Sequence, residues 1–103
     1  MLLNELAHSR TGDKGNIVTI SLIAYRREDF PVLEREVTVE RVATHFQELI
    51  EGQVQRYSLP QLGALNFVLR RPRSNSVTRS LALDAHGKCL GSALLAMEIR
   101  ARH

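Results

Sequence analysis

Ten residues, Asn16 to Tyr25 (NIVTISLIAY), constrain the fold more than any other stretch of this 103-residue chain. Val18, Ile20, Leu22 and Ala24 share one face of an alternating, β-branched run, with Ile23 and Tyr25 on the other, which is the pattern of a central β-strand. The period then changes. Asp29 and Pro31 suit the entry to a short helix carrying Phe30, Leu33 and Val37 on one side. Val39, Val42, Ala43, Phe46, Leu49 and Ile50 follow at helical spacing, opposite Glu40, Arg41, Gln47, Glu48 and Glu51, with Thr38 to cap the start and Gly52 to end the helix. Strand and helices, each apolar on one side, bury those sides against each other. The expected fold class is therefore α+β, a two-layer sandwich with helices on one face of a mainly antiparallel sheet, and the ferredoxin-like arrangement is its nearest common form.

The remaining segments fill in this plan. Leu2 to His8 reads as a weaker strand joined to the central one through a broad loop, Ser9 to Gly15, and Gln53 to Ser58 as a polar edge strand. In Pro60 to Leu69, Leu62, Leu65 and Leu69 fit a helix while Leu65, Phe67 and Leu69 fit a strand; a short helix is the reading taken. Leu81 to Asp84 and Cys89 to Ile99 read as a hairpin about Asp84 and Gly87. Its second half, LGSALLAMEI, combines helix-favouring residues with the continuous apolarity of a buried strand, and strand is the expectation. No linker or repeat divides residues 1–103, so one domain is expected.

Composition narrows the function classes. One cysteine cannot form an internal disulfide, so packing alone holds the fold, as in a reducing, cytoplasmic setting. The opening MLLNELAHSR has no basic n-region followed by an apolar stretch, and no apolar run approaches the ~20 residues of a membrane span, so a chain neither exported nor embedded is expected. The net charge of +3 raises nucleic-acid binding, but its distribution argues otherwise. Positions 28 to 51 hold seven acids against two bases, and positions 52 to 103 two acids against eight bases, which predicts an acidic helical face and a basic remainder. The densest basic run, Arg70, Arg71, Arg73 and Arg79, surrounds Ser74, Asn75 and Ser76 without an interleaved aromatic, and reads as a solvated loop rather than a single-strand binder.

Residues 8 to 16, HSRTGDKGN, concentrate the most chemistry. Gly12 and Gly15 permit positive φ and exposed backbone N–H groups, on which Arg10, Thr11 and Lys14 can converge around a phosphate or carboxylate. His8, Asp13 and Asn16 complete the candidate ligand-binding set of His8, Arg10, Thr11, Gly12, Asp13, Lys14, Gly15 and Asn16. The spacing is not that of a Walker A loop, and the competing reading is that Gly12 to Gly15 merely turn a hairpin. His8 beside Asp13 would make an acid–base pair, but no catalytic residue is assigned. Cys89, three residues after His86 across a turn, is expected to be buried or incidental. His8, His45, His86 and His103 show neither HxH nor HExxH spacing, so neither a metal site nor a cofactor is expected. Asn66, among apolar neighbours, is a buried-polar suspect that needs a partner.

LAHSRTGDKGN at Leu6 to Asn16, YSLPQLGALNFVL at Tyr57 to Leu69 and VTRSLALDAHGKCLGSALLAMEI at Val77 to Ile99 together resemble the AtuA-like ferredoxin-fold domain. That family occurs as the C-terminal part of acyclic terpene utilisation (AtuA) proteins and as small stand-alone chains. The resemblance extends through TVERVATHF in the long helix and departs at Arg70 to Ser76, where the family would carry a glycine-rich loop. It implies the sandwich fold and an association with catabolism of acyl-CoA or isoprenoid acids, and it transfers no catalytic residue. The functional expectation is a non-catalytic or accessory domain acting with an AtuA-type partner, or as a homo-oligomer, and using residues 8 to 16 to contact that partner or an anion such as CoA. The alternative is a small enzyme acting on a CoA ester or carboxylate, with His8 or Asp13 as its acid–base group.

Overall fold

The alternation that begins at Ile17 continues to Ala24 and pairs on both sides. A computed structural model describes residues 1–47, 49–70 and 90–100. In it, strands β1 (Ala7–Lys14), β2 (Ile17–Ala24), β3 (Gln55–Leu59) and β4 (Ala64–Arg70) form one sheet in the order β1-β2-β4-β3. All three pairings are antiparallel, so β2 is an interior strand and the polar β3 lies at an edge, as its sequence indicates. Helices α1 (Phe30–Glu36), α2 (Val39–His45) and α3 (Leu90–Leu94) complete an α+β fold of ferredoxin-like character. Among the described residues no helix is long and apolar enough to cross a membrane.

The core lies on one side of this sheet. Val18, Ile20 and Leu22 of β2 and Leu65, Phe67 and Leu69 of β4 are fully buried, together with Phe30, Val32 and Leu33 of α1, Val42 of α2 and Leu90 and Leu94 of α3. Helix α1 packs against β4, and α3 packs against β1 and β2. The inward side of β3 is polar for a reason: Arg56 donates to the carbonyls of Glu34 and Val37 at 2.9 and 3.0 Å, satisfying the open end of α1. Ser58 donates to Glu34 Oε2 at 2.6 Å. Thr38 caps α2 as expected, its hydroxyl accepting from the Arg41 N–H at 3.1 Å.

Five expectations give way. The first strand runs from Ala7 to Lys14 rather than over Leu2 to His8, and Leu3–Glu5 is a 3-10 turn instead. The loop to the central strand shrinks to Gly15 and Asn16, with Gly15 at φ 64, the left-handed backbone that two-residue hairpins require. Residues 64 to 70 are strand, not helix, because Leu65, Phe67 and Leu69 all meet the core once β4 pairs with β2. Leu90–Leu94 is helix, in keeping with its Ala and Leu content, and only Leu2 and Glu98 form a bridge beyond it. Helix α2 stops at His45, because Phe46 leaves helical geometry (φ −102, ψ 9) while its side chain stays sealed in the core. Gly52 consequently does not cap it. The proposed turn at residues 85 to 88, Cys89 and the basic run from Arg71 to Arg79 lie outside the described residues.

Candidate functional site

A strand exposes alternate residues to opposite faces, and that elementary fact divides the HSRTGDKGN run in two. Ser9 and Thr11 lie on the helix side, paired with Leu22 and Ile20 of β2. Thr11 Oγ1 accepts the Gly91 N–H at 3.2 Å. A Cβ on Gly91 would overlap Thr11 Oγ1 and come within 2.8 Å of Ser9 Oγ, so α3 reaches β1 only because residue 91 has no side chain. These two hydroxyl residues are thus spent on docking a helix. The site has lost Thr11 as an outward ligand.

His8, Arg10, Gly12 and Lys14 occupy the opposite face, and all four are exposed. They stand beside Ile23, Ser21, Thr19 and Ile17 respectively. The rows continue across β4 to Ala64, Asn66, Val68 and Arg70, and onto β3 with Leu59 beside Ala64, Tyr57 beside Asn66 and Gln55 beside Val68. Among the described residues, no strand position on this face is acidic. Among the described residues, none of Arg10, Lys14 and Arg70 takes part in an ion pair. Tyr25 and Tyr57 are 61% and 51% exposed, far beyond what packing in a core would leave. Asn66 is half-buried here, in a row with Ser21 and Tyr57.

The geometry sorts the remaining candidates. Gly12 is extended, outside the left-handed region that Gly15 occupies, and the backbone from Ala7 to Lys14 is laddered to β2. The anion nest expected from Gly12 to Gly15 is therefore replaced by a flat strand whose side chains alone face a ligand. The His8 ring stacks on Tyr25 with centroids 5.4 Å apart. Five residues of extended strand separate positions 8 and 13, about 17 Å, so the proposed acid–base pair does not assemble. Asp13 pairs through its backbone with Val18, and Gly15 and Asn16 form the turn. A cavity of about 280 Å³ opens over Gly12, lined by Lys14, Ile17 and Thr19.

A sequence model of the AtuA ferredoxin-like domain matches residues 1–100. The chain belongs to that family. No curated protein and no solved structure matches it. In this AtuA ferredoxin-like domain the match spans both faces of the hairpin, the helix-docking hydroxyls as well as the exposed cations.

Larger depressions, about 370 and 420 Å³, lie elsewhere, beside α2 and Glu98, and Arg41 lines both. They border a buried carboxylate that periodicity placed merely on an acidic helix. Glu36 is 5% exposed; it accepts from Arg41 Nη1 at 2.9 Å, Arg35 Nε at 3.1 Å and the Arg100 N–H at 3.0 Å. The Arg100 N–H, ahead of the Arg35 guanidinium, holds this carboxyl below the usual range against the opposing effect of burial. Arg41 also donates to the Glu36 and Glu98 carbonyls. With the Glu36 carboxylate accepting three hydrogen bonds, the cluster ties α1 and α2 to residues 98 to 100 and leaves little for a ligand. Glutamate at the last position of a helix, flanked by Arg35 and Arg41, is the available signal, but it does not reveal burial. Among the described residues no group of His, Cys, Asp and Glu is arranged to hold a metal ion.

Proposed function

We propose that this domain is a non-catalytic accessory to a larger AtuA-type partner in the cytoplasmic breakdown of acyl-CoA esters or isoprenoid acids, with the 8 to 16 hairpin as its anion-recognising, partner-contacting edge. One observation carries the reading: an open sheet face that presents Arg10, Lys14 and Arg70 without a single acidic strand position. Cations fixed on strands, with no ion-pair partner among the described residues, generate a positive potential that steers an acidic surface or anionic group toward the face. The exposed Tyr25 and Tyr57 add amphipathic area suited to contact, since aromatic side chains are enriched at interfaces. Self-association is also expected, through the outer edges of β1 and β3, the end strands of the sheet among the described residues, because a face-to-face pair would oppose like charges.

Co-expression with a large AtuA-type protein from the same genome, followed by size-exclusion chromatography, tests this reading. Wild type is expected to co-elute with the partner, and an Arg10→Glu, Lys14→Glu, Arg70→Glu variant to elute alone. A chain that forms no complex but turns over an acyl-CoA unaided would replace the accessory role with the second reading, a small enzyme acting on a CoA ester or carboxylate. The depression beside Lys14 is the feature that favours that alternative.

A further inference from the structure

The depression over Gly12 has a more specific chemistry than a positive surface alone. Its floor depends on position 12 lacking a side chain: a Cβ there would lie 2.8 Å from Thr19 Oγ1. Its walls are unlike one another. Lys14 contributes an ammonium, Thr19 a hydroxyl and Ile17, 36% exposed, an aliphatic surface held against water. A volume of about 280 Å³ sits near the lower end of small-molecule sites, which start at roughly 300 Å³. The space therefore suits a ligand of a few heavy atoms.

Charge and hydrogen bonding narrow the class. Phosphate groups are typically held by several backbone N–H donors in a nest or by paired guanidiniums. Here the strand around Gly12 is laddered to β2 and one cation, the Lys14 ammonium, lines the depression itself, while Arg10 stands two residues from Gly12 and Arg70 beyond Ile17 on the same face. That arrangement matches a single negative charge. A bare inorganic anion would also leave Ile17 in water, whereas an alkyl group attached to the anion would cover it. We infer that the Gly12 depression binds an aliphatic monocarboxylate, its carboxylate paired with Lys14 and hydrogen-bonded by Thr19, its alkyl chain lying on Ile17. This inference rests on the reading of the hairpin as an anion-recognising edge and names the anion.

Calorimetric titration of the intact chain with acetate, butyrate and hexanoate, with pyrophosphate, and with an acetylated peptide ending in leucine tests it. Affinity is expected to rise about fourfold per methylene as far as the depression can cover the chain. Lys14→Met should lower hexanoate affinity about tenfold or more, the effect of a lost charge-assisted contact. Ile17→Ser should abolish the chain-length dependence while keeping the residual affinity for acetate. Both side chains are exposed, and thermal melts verify that each variant folds; Lys14→Gln serves if the methionine variant does not. Tighter binding of the peptide than of hexanoate would still support the site and identify a polypeptide terminus as the carboxylate's source. Pyrophosphate binding without any chain-length dependence would overturn the monocarboxylate assignment and leave the anion-recognising hairpin intact. If no anion binds, both fail together.

Discussion

On the inner side of the sheet, Val18, Ile20, Leu22, Leu65, Phe67 and Leu69 are sealed beneath helices, while the residues between them on the same strands, Thr19, Ser21, Asn66 and Val68, remain exposed or half-exposed. The comparison is sharpest on β1, where Ser9 and Thr11 serve the helix side and Arg10 and Lys14 the open side. A single motif thus divides at a period of two between a side that docks a helix and a side proposed to meet a ligand or partner. Losses on one side should register as stability, and losses on the other as recognition.

Phe46→Ala should show the largest effect, about 3 to 5 kcal/mol, because a sealed aromatic leaves both a transfer loss and a cavity. Denaturant melts read this directly, and a cost below about 1 kcal/mol would mean that the inner side is not the packed one. Gly91→Ala comes next, at about 1 to 3 kcal/mol, since the added methyl pushes α3 off β1. Combining it with Thr11→Ala should recover part of that loss. Strict additivity of the two changes would show that the hydroxyl and the glycine are not in contact.

Glu36→Gln should cost roughly 2 kcal/mol at neutral pH, less than a fully buried pair because the Arg35 and Arg41 side chains are 39% and 41% exposed. Its pH dependence has a definite sign. Because the folded value lies below the ordinary 4.5, the wild-type contribution is complete above that pH and is lost as the pH falls through the folded value. The gap between wild type and variant should therefore narrow on acidification. A gap that stays constant from pH 7 to strongly acidic conditions would mean that the carboxylate's charge is immaterial. The smallest effect belongs to the open side: Arg10→Ala with Lys14→Ala should shift stability by no more than about 0.5 kcal/mol. A double variant that melts markedly earlier would turn the hairpin's cations into architecture.

Elements whose polarity follows their burial were legible in the sequence. Strand β2, the short helix α1 and the Thr38 cap fall into this class, because each advertises a buried face or a specific hydrogen bond. Strand β1 does not, since on its helix side Ser9 and Thr11 are hydroxyl residues packed against helix α3, far along the chain. No local pattern announces a partner 80 residues away. The tie in Leu62, Leu65 and Leu69 was broken by pairing with β2, again a tertiary fact. The candidate site was found by composition, but dividing it into Arg10 and Lys14 on one side and Thr11 on the other required knowing that the segment is strand rather than loop.

The seam between the first and last described residues sets an order of events in time. The Met1 amino group donates to the Ile99 carbonyl at 3.1 Å across 98 residues, and the Ile99 and Leu3 N–H groups return bonds to Met1 and Met97, each at 2.8 Å. Closing so long a loop costs entropy that only a nearly complete fold can offset, whereas the two-residue turn at Gly15 closes at little cost. The β1–β2 hairpin is therefore expected to form early and the seam late. In the native state the order reverses: the Leu3 and Ile99 amides should exchange with solvent by opening of the seam, well before the ladder beneath Arg10 and Lys14 lets go. The open face of the β1–β2 hairpin can stay assembled while residues 1 to 3 and 97 to 99 part.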